Sequence, residues 1–346
     1  MKDNKVIPIF FASDKNYIPC LTVAIKSMVN KINDKDEYKV YILTNDVTEN
    51  DIVEIRSYER NNFKVEIVDV NPKIESIKNK VALRDYYSVS IYFRLFIPTL
   101  FPQYDKALYL DSDILLNADI ANLYKNDIGN NMLGAVLDEV IWSSKGFTYY
   151  AREALDVTEK QYFNSGVLIM NLKKFREKDI ENDFYSWVNN NTLTAVAPDQ
   201  DYLNCVCKNS VTYMNPGWNK MPMGRKFEDN ELLLIHYNMF MKPWKYENVM
   251  FGEYFWNLAK QTSFYEKLRN IQQSYTDEQK RNDELGYENL LKLAINIADS
   301  DTNYKCLVLK KPKTVKQIVM FETEEEGEEE FGSFDFSELM GDKKNS

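Results

Sequence analysis

The chain has 346 residues, 44% of them apolar and 23 of them tyrosine, enough for one sizeable core with an appendage. Its formal charge of −10 is unevenly placed: from Glu322 to the end ten acidic residues and two lysines give −8, leaving about −2 for the rest. A nearly neutral body argues against nucleic acid as a partner.

Residues 6–11 read as a buried strand. A helix follows, with Pro19 in its first turn and Leu21, Ile25, Met28 and Val29 at helical spacing. Residues 39–43 form the next strand, closed by Asn45 and Asp46. The stretch 48–58 reads as a helix with Thr48 as N-cap, and 63–68, alternating apolar with charged, as a third strand. A helix is expected over 88–96, halted before Pro98, and a fourth strand over 107–110. Further strands are expected at 133–137, 166–171 and 232–236. The spacing of Tyr287, Leu290, Leu291, Ala294, Ile295 and Ala298 predicts an amphipathic helix. Strands alternating with helices imply an α/β fold with a mostly parallel sheet. Ligands of such sheets sit beyond the carboxyl ends of the strands, where Ser13-Asp14, Asn45-Asp46 and Asp111-Ser112-Asp113 all fall. The expected division is a main domain over 1–261, a helical extension over 262–318 and an acidic tail over 319–346. That tail should be disordered or loosely docked.

Cys20, Cys205, Cys207 and Cys306 include one Cys-x-Cys with no second pair, so a zinc knuckle is not expected and a reduced, cytoplasmic chain is. The opening apolar run is broken by Pro8, too short for a signal peptide. No stretch reaches the ~20 apolar residues of a spanning helix.

The only histidine, His236, ends the apolar run 232–235. The apolar run 107–110 leads into Asp111-Ser112-Asp113, and alternate strand residues point the same way, so Asp111 and Asp113 can present two carboxylates to one cation. Two acidic oxygens and an imidazole suit Mn²⁺ or Mg²⁺ held against a phosphorylated ligand. An isolated Asp-x-Asp reads equally as a solvated turn.

Seven stretches, taken together and in order, resemble glycosyltransferase family 8, the retaining enzymes that include bacterial lipooligosaccharide α-galactosyltransferases and the glycogenins. They are Phe-Phe-Ala-Ser-Asp-Lys-Asn-Tyr (10–17), Tyr-Phe-Arg-Leu (92–95), Leu-Tyr-Leu-Asp-Ser-Asp (108–113) and Leu-Gly-Ala-Val-Leu-Asp (133–138). Tyr-Phe-Asn-Ser-Gly-Val-Leu (162–168), Asp-Gln-Asp-Tyr-Leu-Asn (199–204) and His-Tyr followed by Lys-Pro-Trp (236–244) complete the set. The resemblance covers roughly residues 5–245 and implies the Rossmann-like GT-A fold. It implies Asp111, Asp113 and His236 as ligands of Mn²⁺, with Mg²⁺ the alternative. Ala12, Asp14, Asn16 and Tyr17 correspond to a uridine pocket, Arg94 and Ser112 to donor-orienting positions, and Asp138, Asn164 and Asp199 to binders of the sugar hydroxyls. Gln200 corresponds to the residue facing the anomeric carbon and Lys242 to the cation on the diphosphate.

The implied reaction moves galactose or glucose from a UDP-hexose to a glycan, glycolipid or glycoprotein hydroxyl with retention. An amide is a poor nucleophile, so Gln200 favours same-face attack; Asp138 or Asp201 as a nucleophile is the alternative. Other readings are a non-catalytic nucleotide-sugar-binding partner and a self-glycosylating initiator. The chain departs from the galactosyltransferase branch in one loop. Where that branch commonly has a glycine between the histidine and the lysine, this chain has Asn238-Met239-Phe240-Met241, which implies an altered phosphate or acceptor contact. The acidic end would be repelled by an anionic lipid surface. The basic segment 310–316 could meet a membrane or fold back onto that end.

Overall fold

The computed structural model describes residues 6–77, 89–190 and 195–311. The acidic stretch 319–346, most of the basic segment 310–316 and Ser88 lie outside those residues. Nine strands are present among the described residues. They are β1 (Val6–Ala12), β2 (Glu37–Thr44), β3 (Phe63–Asp69), β4 (Lys106–Leu110), β5 (Ile114–Leu116), β6 (Leu133–Leu137), β7 (Phe163–Asn171), β8 (Val211–Tyr213) and β9 (Leu234–His236). Seven form one sheet in the order β3-β2-β1-β4-β7-β6-β8. The sheet is mostly parallel, as expected, but β7 runs antiparallel to both β4 and β6. Because β7 alone is reversed, its first residues lie on the same edge as the last residues of β1, β4 and β6. That edge collects the chemistry.

The central strands read as continuous apolar runs because helices cover both faces. Ile7, Ile9 and Phe11 of β1 join Leu108 and Leu110 of β4 beneath the helix Ile18–Lys31. Phe10 and Tyr109 point the other way, into a core with the helix Phe93–Leu100. Leu21, Ile25 and Met28 are fully buried on the first helix, each contributing about 1.5–3 kcal/mol. Thr48 caps the helix Glu49–Arg56 with a reciprocal bond to Asp51.

Several boundaries differ from the sequence reading. The expected helix over 88–96 is a 3₁₀ turn, Val89–Tyr92, followed by an α-helix that carries Pro98 inside it and runs to Leu100. Proline removes one donor near the end of a short helix; burial of Phe93, Leu95, Phe96, Ile97 and Pro98 holds the turn regardless. β7 begins three residues earlier than expected, because its polar opening is buried in the site rather than left in a loop. The run at 232–236 joins the main sheet at no point: β9 pairs antiparallel with β5 in a separate ribbon. β5 and β8, three residues each, were too short to read from alternation.

The C-terminal helix Asp277–Ala298 starts ten residues before its periodic stretch, capped by Thr276 and Gln279. It packs on the helix Lys145–Ala154, where a Cβ at Gly146 would stand 2.6 Å from Leu291 Cδ1. The extension is therefore built into the body of the fold. No helix among the described residues is long and apolar enough to cross a membrane.

The helix Pro198–Cys207 is anchored by Asp201, which has no exposed surface. Its oxygens accept from the hydroxyls of Tyr150 and Tyr162, each at 2.7 Å, and from the backbone N–H groups of Val196 (3.0 Å) and Ala197 (2.9 Å). Burial outweighs these donors and pushes the Asp201 carboxyl up to about 6. The unfolded chain keeps the ordinary value near 3.9. Between about pH 4 and 6 the unfolded chain releases a proton that the folded chain keeps, so stability falls as pH rises through that window. The melting temperature should fall more steeply across it in the wild type than in Asp201→Asn, by the equivalent of about 3 kcal/mol at most. Parallel melting profiles for the two proteins would refute this.

Candidate active site

Three strand ends build the floor of the site. β4 ends into Asp111, Ser112 and Asp113; β6 ends into Asp138; β7 starts with Phe163, Asn164, Ser165 and Gly166. The Asp111 N–H donates to the Gly166 carbonyl at 2.8 Å, fixing the β4 and β7 ends to each other. The β5–β9 ribbon supplies the fourth element: Ile114 lies opposite His236, and the Tyr237 N–H donates to the Asp113 carbonyl at 2.9 Å. A residue more than a hundred positions away thus arrives beside the Asp-x-Asp pair.

One ligand atom each from Asp111, Asp113 and His236 lies within 4.8 Å of the other two. His236 Nε2 is 3.3 Å from Asp113 Oδ1 and 3.7 Å from Asp111 Oδ2. Gly166 makes this approach possible. A Cβ there would overlap the His236 ring and lie 2.5 Å from Asp111 Oδ2. The donor set of two carboxylates and one imidazole fits a divalent cation of the Mn²⁺ or Mg²⁺ type. Among the described residues, Arg94 forms ion pairs with Asp111 and Asp199, and Lys242 with Asp113.

Arg94 is 4% exposed and all three of its nitrogens are engaged by protein. Nε donates to the Ile91 carbonyl (3.1 Å) and forms an ion pair with Asp199 Oδ2 (3.1 Å), Nη1 donates to the Ser165 carbonyl and hydroxyl, and Nη2 to Asp111 Oδ1 (3.1 Å). Its plane lies over the Tyr109 ring at 4.3 Å, and the Tyr109 hydroxyl donates to the same Asp111 oxygen at 2.8 Å. Burial opposes the guanidinium charge, but Asp111 and its neighbours outweigh it and hold Arg94 firmly cationic. Burial raises the Asp199 carboxyl even beside this arginine. Arg94, expected from the resemblance at a donor-orienting position, pairs with the carboxylates of Asp111 and Asp199.

Lys242 Nζ donates to Asp113 Oδ2 at 2.5 Å and to the Tyr237 carbonyl at 2.7 Å. It lies 5.7 Å from the Tyr17 ring centre and 5.4 Å from that of Trp244, and those rings meet edge to face. Burial pushes the Asp113 carboxyl up, yet Lys242 and then His236 override it and hold it below the usual carboxylate range. Asp14 Oδ1 accepts from the N–H groups of Asn16 (2.8 Å) and Tyr17 (3.3 Å), shaping the turn into the first helix, with the Asn16 side chain exposed. The Ser112 hydroxyl donates to the Ala12 carbonyl at 2.9 Å, joining this turn to the Asp-x-Asp turn.

The sugar-side residues form one network. Asp138 Oδ2 accepts from Asn164 Nδ2 (3.0 Å) and Gln200 Nε2 (3.1 Å), and Oδ1 from the Val140 N–H (2.7 Å). Gln200 Oε1 accepts from the Ser165 N–H at 2.8 Å. Asp138 and Asp201, with three and four donors respectively, are poor candidates for a nucleophile. Sequence reasoning missed Asn219, Tyr109 and Ser165. Asn219 is 1% exposed and meets both His236 and Asn164; its only signal is a polar amide after the Pro216-Gly217-Trp218 turn. The loop 238–241 is also resolved by the geometry: Met239 adopts φ +55°, the region a glycine would favour.

The chain is similar to several glycosyltransferases. A putative glycosyltransferase of Haemophilus influenzae is 30% identical over 231 residues, 67% of this chain and 68% of that one. The lipopolysaccharide 1,2-glucosyltransferase of Escherichia coli is 26% identical over 257 residues, 70% of this chain and 73% of that one. The solved galactosyltransferase LgtC, in complex with donor and acceptor sugar analogs, superposes with a TM-score of 0.61 at 27% identity, covering 74% of this chain and 96% of that one. Other similar proteins are longer, and the chain covers 53% of the bifunctional glycosyltransferase WbbM. The family model for glycosyl transferase family 8 matches residues 8–248, and the chain belongs to that family.

Proposed function

We propose that the chain transfers a hexose, galactose or glucose, from a UDP-sugar to a hydroxyl of a glycan, glycolipid or glycoprotein, with retention at the anomeric carbon. The observation that carries this reading is the Asp111–Asp113–His236 cradle, opened by Gly166 and flanked by Lys242. Two similar proteins bear the names of a glucosyltransferase and a galactosyltransferase, which supports a hexose. Asp111, Asp113 and His236 would hold Mn²⁺ or Mg²⁺. The bound ion would supply Lewis-acid neutralisation of the diphosphate leaving group. Lys242 sits where its ammonium can leave Asp113 for a phosphate oxygen, adding a charged donor in a dry setting. Tyr17, held edge-on by Trp244, offers its ring to uracil, with Ala12, Asp14 and Asn16 around it.

Asp138, Asn164 and Asp199 would meet the sugar hydroxyls through oxygens and amide protons left over from their own network. Gln200 has its carbonyl oxygen aimed by the Ser165 N–H, and would turn that dipole on the electron-poor anomeric carbon. With Asp138 and Asp201 occupied by donors, same-face attack is favoured, the departing phosphate oxygen taking the acceptor proton. Residues 1–261 would form the donor-handling unit, 262–318 a helical buttress and 319–346 a separate acidic tail. Four free cysteines support a reducing, cytoplasmic setting.

With Mn²⁺ present, UDP at about 100 times its Kd should stabilise the native state by about 2.7 kcal/mol. GDP and ADP should raise the melting temperature far less, and His236→Ala should remove the Mn²⁺-dependent part. Equal shifts from all three nucleotides would overturn the uridine assignment.

Lys242 gives a prediction with opposite signs. It occupies Asp113 when no cation is bound, so Lys242→Met should tighten Mn²⁺ binding to the nucleotide-free protein. The same variant should weaken UDP binding in the presence of Mn²⁺ by about tenfold, the scale of one charged hydrogen bond. Calorimetry of both titrations decides it; a loss in both would mean that Lys242 only props the site.

A further inference from the structure

We propose that Asn219 is a positioning residue that fixes the tautomer of His236, keeping the Nδ1 proton in place and the Nε2 lone pair between Asp111 and Asp113. The proposal rests on the reading of His236 as a metal ligand, but its chemistry can be followed without the metal.

The direction of every hydrogen bond in the relay follows from one backbone group. The Gly166 N–H can only donate, so the Asn164 atom 2.9 Å from it is the carbonyl oxygen Oδ1. The other end of the Asn164 amide donates to Asp138 Oδ2 at 3.0 Å, as a carboxylate requires. The same Asn164 oxygen lies 2.9 Å from Asn219, which must therefore present its NH₂ there. That leaves the Asn219 carbonyl oxygen 2.8 Å from His236 Nδ1, where it can only accept. The imidazole proton is thus on Nδ1. In the neutral ring Nε2 then keeps its lone pair toward Asp113 Oδ1 at 3.3 Å and Asp111 Oδ2 at 3.7 Å.

An unpaired lone pair beside two carboxylates is unfavourable in the absence of a cation. A free neutral imidazole prefers its proton on Nε2, and here that tautomer would also donate to Asp113. The relay opposes both tendencies. Asn164, Asn219 and His236 are 5%, 1% and 2% exposed, so water has little access to substitute for any partner. Asn219 is itself held by the β9 register, since the His236 N–H donates to the neighbouring Lys220 carbonyl at 2.9 Å and the Lys220 N–H to the Leu234 carbonyl at 3.0 Å. A histidine ligand is commonly oriented through its second nitrogen; here a neutral amide does this, with its polarity set from the β4–β7 junction.

Because His236 is the only histidine, ¹⁵N-histidine labelling reports on this ring and nothing else. Long-range ¹H–¹⁵N spectra of the full-length, metal-free protein, followed to alkaline pH until the ring is neutral, should show the remaining proton on Nδ1. Asn219→Asp, which still accepts, should keep that pattern. Asn219→Leu should move the proton to Nε2 and raise the Mn²⁺ dissociation constant about 10- to 100-fold. A proton on Nε2 in the wild type overturns the proposal, as does a proton that stays on Nδ1 in Asn219→Leu. Should Asn219→Leu fail to fold, the wild-type and Asn219→Asp spectra decide it. Wild-type Mn²⁺ affinity in His236→Ala would sink the metal reading, while the spectra alone judge the tautomer.

Discussion

Where β4 and β7 meet, two backbones and three polar side chains converge on Gly166. Its carbonyl takes the Asp111 N–H, its own N–H sets the polarity of the Asn164 amide, and the space where a Cβ would stand holds the His236 ring and an Asp111 oxygen. Any side chain there would part the two halves of the cradle. The reversal of β7 is what delivers this glycine to the edge where β4 and β6 end. Topology and chemistry are joined at one residue, and the rest of the site is arranged around it.

The second constraint is charge. Four carboxylates at the edge of a sheet cost desolvation unless cations and donors compensate. Arg94 compensates two of them from below, fully occupied and stacked on Tyr109, which makes it a fixed part of the scaffold. Lys242 compensates a third, Asp113, from a loop, and among the described residues its ammonium makes one other hydrogen bond, to the Tyr237 carbonyl. The two cations differ in what they can do. A guanidinium with every nitrogen engaged cannot turn to a ligand without breaking several bonds. An ammonium on a flexible stem can exchange one anionic partner for another, and Lys242 is placed to do so.

The parallel half of the fold was legible because its strands are buried on both faces and so read as unbroken apolar runs, as at 107–110. The reading failed where tertiary packing decides local structure. Pro98 sits inside a helix whose preceding residues, Phe93 to Ile97, are all buried, and β5 and β8 are too short for any period to register. In the site, Asp111 and Asp113 could be paired from alternation alone. That His236 joins them depends on a three-residue ribbon, whose pairing no local pattern reports. Nothing local around Arg94 reveals that each of its three nitrogens is engaged inside the protein. Asn219 had no periodic or charge signature, because its role lies in the direction of a hydrogen bond.

The loop between His236 and Lys242 shows how the departure from the galactosyltransferase branch is accommodated. Met239 takes the left-handed conformation, which costs a non-glycine residue on the order of 1 kcal/mol. Such a conformation persists only when surroundings over-determine it. The next residue supplies that support. A Cβ at Gly286 would stand 3.3 Å from Phe240 Cζ, so the ring lies against the bare backbone of the helix Asp277–Ala298. The same helix holds the far side of the loop, where Asp283 accepts from the hydroxyls of Tyr246 (3.0 Å) and Tyr275 (2.7 Å) and lies 3.6 Å from Lys245. Its other face meets Gly146, eight residues beyond Asp138. One C-terminal helix therefore braces the loop that carries Lys242 and the segment that follows Asp138. The bulky loop and the helical extension are two parts of one solution: the turn that a glycine would make freely is here imposed by packing.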